Sequence, residues 1–188
     1  MKKAICHLKS NSPYSQGKYV TAAKLAKELH QDYEDRTWRE RLHFDKDGVV
    51  FIPPMQFSNS LKEAAKYLNI QVPGKGKTTY TKHFDAGVMV IEPLSLNVNK
   101  DEVHSEALFV PSDGRRGGTT RVLKNFPIIH EWEGVVTYYI LDPIITRDVF
   151  ETVLRECGNL IGIGRFRPRM RGFYGRFVVN KIEWVEEK

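Results

Sequence analysis

At 188 residues, with 41% hydrophobic and 28% charged side chains, the chain has the length and composition of one globular domain with a sizeable core. Its formal net charge of +6 points to a polyanionic partner, while no apolar run approaches the roughly 18 residues of a membrane span, so no membrane partner is expected. The charged start Met1-Lys-Lys-Ala-Ile-Cys-His7 lacks the apolar core of a signal peptide, and the two distant cysteines, Cys6 and Cys157, read as buried thiols of a reducing cytoplasm.

In chain order, residues 2–9 form a first strand that breaks at the turn cluster Ser10-Asn-Ser-Pro13. Residues 21–31 predict a short amphipathic helix with Ala22, Leu25, Ala26 and Leu29 on one face and Thr21 as its cap. The charged stretch 31–41 has Trp38 as its large anchor. Asp47-Gly48 turns a hairpin into strand 49–52, and Pro53-Pro54 stops it. A helix capped by Ser58 or Asn59 then runs to about Asn69, burying Leu61, Ala64, Ala65 and Leu68. Residues 72–84 carry Gly76-Lys77-Thr78, but Gln71 stands where a phosphate-binding P-loop needs glycine, so a flexible basic loop is expected, with Lys75, Lys77, Lys82 and His83 available to phosphates.

Residues 87–93, nearly all apolar, predict a central strand, followed by strands 94–98 and 106–110. Residues 111–121 form a second basic, glycine-rich loop with Arg115, Arg116 and Arg121. Residues 126–130 and 135–141 predict the two arms of a hairpin around residues 131–134. Thr146 caps a helix through about Cys157, Gly158 ends it, and residues 177–185 form the last strand. The mixture is α+β, in one domain over residues 1–188.

The most informative stretch lies between that helix and that strand: Gly162-Ile-Gly-Arg-Phe-Arg-Pro-Arg-Met-Arg-Gly-Phe-Tyr-Gly-Arg176. Gly162, Gly164, Gly172 and Gly175 frame Arg165, Arg167, Arg169, Arg171 and Arg176, and no acid falls between Arg165 and Lys181. Without this stretch the chain is electrically balanced, so the charge is a local patch, the footprint of a polyanion binder. Phe166, Phe173 and Tyr174 among the arginines suit stacked bases as well as phosphates. An extended backbone would place Arg165, Arg167, Arg169 and Arg171 in a row on one side, giving phosphate contacts that hold without reading sequence. The competing reading, a solvated charged turn, fits less well because exposed arginines usually have acids among them.

This stretch resembles the glycine-rich loop of the RAMP superfamily, the RNA-binding proteins of CRISPR complexes. Two further segments agree. Ser12-Pro-Tyr-Ser-Gln-Gly17 is similar to the turn after the first strand in that family. Asp47-Gly-Val-Val-Phe-Ile-Pro-Pro-Met-Gln-Phe-Ser-Asn-Ser-Leu-Lys-Glu-Ala-Ala65 resembles its Ile-Pro-Gly-Ser-Ser-Leu-Lys-Gly-Ala helix, departing at Pro54 and by an insertion of Met55, Gln56 and Phe57. The resemblance implies a ferredoxin-like, RRM-related core with an antiparallel sheet, inserted hairpins and basic loops. It also implies single-stranded nucleic acid as partner, RNA in preference to DNA, with copies assembling along the strand as a homo-oligomer.

For the Lys75, Lys77 and Lys82 loop and the Arg115, Arg116 and Arg121 loop, a plain surface loop weighs as much as a binding one. The six histidines, His7, His30, His43, His83, His104 and His130, have no metal-ligand spacing, so no cofactor or metal is expected, and none stands out as catalytic. Two alternatives stand beside the binding reading: a metal-independent, repeat-processing endoribonuclease using a histidine, and a phage or mobile-element protein that mimics or blocks a CRISPR subunit.

Overall fold

The computed structural model describes residues 2–112 and 120–186. In chain order the strands are β1 (Lys2–Ser10), β2 (Tyr14–Ser15), β3 (Val49–Ile52), β4 (Val88–Met89), β5 (Leu94–Asn99), β6 (His104–Pro111), β7 (Arg121–Ile129), β8 (Glu133–Ile140) and β9 (Phe177–Glu186). The helices are α1 (His30–Thr37), α2 (Pro54–Leu68), α3 (Thr81–Gly87) and α4 (Arg147–Glu156). The fold is therefore α+β with antiparallel strand pairing.

The alternation of β1 puts Ala4, Cys6 and Leu8 on one buried face. β1 pairs with β8 on one side and β9 on the other, and β4 adds outside β8, giving the sheet order β4-β8-β1-β9. Two amphipathic helices supply the core: α2 buries Phe57, Leu61, Ala64 and Ala65, and α4 buries Phe150, Val153 and Leu154. Phe150 meets Tyr138 of β8 and Trp184 of β9 edge-on, each with centroids 5.4 Å apart, which seats α4 on the sheet. The main sheet and its helices thus follow in chain order as β1, α2, β4, β8, α4, β9. A second sheet, ordered β2-β7-β6, and the pair β3-β5 flank it. Burial holds the Cys157 thiol up at about 12 and raises Cys6 as well, so both free cysteines stay protonated. Among the described residues no helix is long and apolar enough to cross a membrane.

Several local expectations are corrected. Residues 21–29 are not helical: Leu25 and Leu29 are exposed, and small alanines offer little area to bury. The helix starts instead at His30, where the buried groups Glu34, Thr37 and Trp38 anchor it. α2 begins at Pro54, whose fixed φ suits a first helical turn, so Met55, Gln56 and Phe57 are already helical and neither Ser58 nor Asn59 is the cap. Residues 72–84 are folded back by a bridge between Gln71 and Thr79 before α3 begins. His83 is buried, and its Nδ1 donates to Asp142 Oδ2 at 2.7 Å, so it is not available to phosphates.

The segment 87–93 gives only the two-residue edge strand β4. Strands β7 and β8 are not a hairpin, because they lie in different sheets. The chain crosses between the sheets at Trp132, buried against Tyr14, Phe57 and Phe177. Its N–H donates to Ser10 Oγ and its carbonyl accepts from Ser10 N–H. Gly158 does not cap α4: the helix runs on into a π-helical turn, Cys157–Ile161, and Gly162 closes it with φ 70°. A side chain at Gly158 would strike the Phe177 carbonyl, so this glycine serves close packing.

Candidate nucleic-acid interface

The loop after α4 is folded by its own backbone rather than extended. Pro168–Met170 form a 3-10 turn, and Phe166 and Arg171 have left-handed φ of 54° and 64°. The single row of four arginines expected from alternation is therefore not formed. The turn following β1 braces the loop instead: Ser15 carbonyl accepts Arg165 N–H at 2.8 Å, Pro13 carbonyl accepts Gly175 N–H at 2.7 Å, and Ser12 Oγ accepts Arg176 N–H at 2.9 Å. On the other side Ser60 of α2 donates to the Gly162 carbonyl at 2.6 Å. The strands of chain lie so close that a Cβ on Gly164 would stand 2.5 Å from Ser15 O, and one on Gly175 would collide with the Ile163 carbonyl. Gly172 likewise abuts Phe166.

Arg165 is the electrostatic centre of the site. Its guanidinium lies over Phe126 of β7 at 4.1 Å and over Phe166 at 4.8 Å, and Phe126 and Phe166 meet edge-on at 5.4 Å. Arg41 approaches the Phe126 ring at 5.3 Å, but Arg41 is compensated: Glu34, 2% exposed, accepts from Arg41 at 2.7 Å. Among the described residues no carboxylate stands within ion-pair distance of Arg165, and its Nε is buried without a partner. Burial, and then the neighbouring Arg41, pull the Arg165 pKa below the ordinary arginine value. Protein groups thus bring two guanidinium ions together and neutralise one.

Arg165 opens onto a polar cavity of about 320 Å³ lined also by Gly17, Lys18, His43, Gln56, Gly164 and Arg167. The size lies within the range of small-ligand sites. Gln16, fully buried, holds the wall: its Oε1 accepts His43 N–H and its Nε2 donates to Phe51 O at 2.8 Å. Tyr14 donates to Gln56 Oε1 at 2.8 Å. Burial and the nearby Lys18 lower the His43 pKa, so the imidazole is neutral at pH 7. The cavity offers permanent cations and a neutral ring, an arrangement suited to one phosphate and its nucleoside.

Arg167 and Arg169 share one acid: Glu63 of α2 takes Arg167 at 2.8 Å and Arg169 at 3.1 Å through its two oxygens. Arg171 is exposed, and Arg176 donates to Asn159 O, tying the loop to the π-helical turn. Of the three aromatics, Phe173 is exposed, whereas Phe166 packs on Phe126 and Tyr174 is 7% exposed with its hydroxyl donating to Glu106 at 2.9 Å. Burial pushes Tyr174 up to about 12. Tyr174 thus braces the loop against β6 and is no open stacking platform.

Lys75, Lys77 and Lys82 are exposed but do not line the cavities around Arg165, Arg167 and Arg169, and Arg121 lies at the far end of β7 from Phe126. Arg115 and Arg116 lie outside the described residues. Sequence reasoning did not single out His43 among the six histidines, and it missed Lys18, Gln56, Glu34, Arg41 and Glu63. Lys18 follows directly on the Ser12…Gly17 turn and could have been found there; the others come from residues distant in sequence and carry no local signal. No family model and no curated protein matches the chain.

Proposed function

We propose that the chain binds single-stranded nucleic acid, RNA in preference to DNA, as a compact RAMP-like protein with the Arg165 cavity as its phosphate clamp. The observation that carries this is the half-buried, uncompensated Arg165 guanidinium, stacked on two rings beside Lys18 and Arg167. A cation held without a carboxylate in a polar cavity is stabilised by a bound anion, and the His43 ring in the cavity wall offers a flat face to an anion that carries a base. The succession β1, α2, β4, β8, α4, β9 supports the ferredoxin-like core that the reading requires. Gel-shift titration with RNA and DNA of one sequence is the first test. The proposal expects a tighter RNA complex, lost in Arg165→Gln; no shift with either would favour a protein partner for the loop instead. A protein that stays monomeric on a long oligonucleotide would remove assembly along the strand.

A second reading is metal-independent RNA cleavage, favoured by the placement of His43, neutral at pH 7, in the same cavity as two arginines. Cleavage of a hairpin RNA in EDTA, lost in His43→Ala with binding retained, would establish it. An intact RNA after prolonged incubation with the folded wild type would leave binding as the whole function.

A further inference from the structure

The loop's second cavity lies against α2. Lys62 and Lys66 lie one turn apart on this helix, and Tyr67 beside them is 56% exposed. With Glu63, Asp85 of α3 and Arg169 they line a cavity of about 370 Å³. The Arg169 guanidinium stands over the Tyr67 ring at 5.8 Å, the outer limit of a cation–π pair, so the contact is loose enough for another flat group to replace it. Glu63 joins this cavity to the first, since one of its oxygens holds Arg167, which lines the Arg165 cavity, and the other holds Arg169. The lining carries three cations against two carboxylates, one of them already shared with Arg167.

We propose that this cavity is a second nucleotide subsite, in which a base stacks on Tyr67 while Lys62, Lys66 and Arg169 hold its phosphate. The bound strand then crosses α2 from the Arg165 cavity instead of following the loop. This rests on the nucleic-acid reading of that first cavity. Glu63 stands where a bridging phosphate belongs: it orients both arginines in the free protein and is displaced when the strand binds. An exposed tyrosine face flanked by cations has the chemistry of a sequence-tolerant stacking platform, because every base has a face to offer.

The test measures affinity by fluorescence anisotropy for a long uridine oligonucleotide, and by competition for a uridine trinucleotide, at several salt concentrations. Wild type is compared with Arg165→Gln, Tyr67→Ala, Tyr67→Phe and the pair Lys62→Gln, Lys66→Gln, with circular dichroism to confirm folding. Tyr67→Ala is expected to weaken the long strand roughly fivefold to a hundredfold, the range of a lost base–aromatic stack, without changing the salt slope. Tyr67→Phe keeps the affinity, and the lysine pair lowers the slope by about 0.7 for each lysine. The trinucleotide, held at the first cavity, is insensitive to Tyr67. Unchanged binding of the long strand by folded Tyr67→Ala, alongside a loss in Arg165→Gln, would overturn the second subsite alone. Failure of the wild type to bind any oligonucleotide would overturn both subsites.

Discussion

At the scale of single residues, His43 reports on the cavity. Burial and Lys18 keep its free pKa below the ordinary value of about 6.5. A phosphate bound beside it favours the imidazolium, so its pKa rises on binding and the complex takes up a proton. The affinity is then constant above the bound value, grows as pH falls from the bound value to the free one, and levels off below both. Titration of the dissociation constant between pH 5 and 8 should show this rise in wild type and a flat profile in His43→Gln. Identical profiles for the two proteins would place the phosphate away from His43. Arg165 is the other decisive residue, and its worth comes from what surrounds it rather than from its charge alone, since Arg171 carries the same charge and lies exposed.

At the scale of elements, the site is built where α1, β7 and the loop meet. Glu34 on α1 neutralises Arg41 and also accepts the Asn125 N–H, fixing β7 beneath the arginines. Glu34→Ala leaves two unpaired guanidinium groups over one ring and is expected to lower stability by about 3–5 kcal/mol in urea unfolding, the usual cost of breaking a buried pair. Gly175→Ala combines a φ of 75° with a collision at Ile163 and is expected to cost about 2–4 kcal/mol by the same measurement. Away from the site, His83 ties α3 to the connection between β8 and α4, holding the Asp142 carboxyl below its ordinary value. That contribution is complete above the unfolded carboxyl's range of about 4 and is lost as pH falls through the lower folded value. His83→Ala should therefore cost about 1–2 kcal/mol at neutral pH, with a gap to wild type that closes in acid. A gap that persists at the lowest pH would show the histidine's packing, not its hydrogen bond to Asp142, to be what matters.

These elements differ in how far the sequence declares them. Period-two and helical patterns locate β1, α2 and α4, because each buries one regular face, and β9 through its buried Phe177 and Val179. The hairpin expected over residues 126–141 and the helix over 21–31 fail for one reason: local pattern does not say which partner a segment buries against. Trp132 sends β8 to another sheet, and the polar anchor Glu34 outbids a weak alanine face. The arginine loop is legible as a patch, but its shape is not, since the carbonyls of Pro13 and Ser15 and the carboxylate of Glu63 that mould it are far away in sequence.

At the scale of the whole molecule, the chain's surplus charge is concentrated where the turn after β1, α2 and the loop before β9 converge. Two cavities joined through Glu63 then share the arginines out: Arg165 and Arg167 to one, Arg169 to the other. Binding through such a surface is chiefly electrostatic, and its salt dependence counts the phosphates engaged. The most direct measurement is the affinity for a single-stranded RNA across a salt series, by anisotropy, for wild type and Arg165→Gln. Log affinity of the wild type is expected to fall steeply and linearly with log salt. For the variant the expectation is a slope shallower by about 0.7 and a much weaker complex at every salt concentration. Equal slopes and equal affinities in the two proteins would contradict it, because the uncompensated arginine would then not be where the phosphate sits.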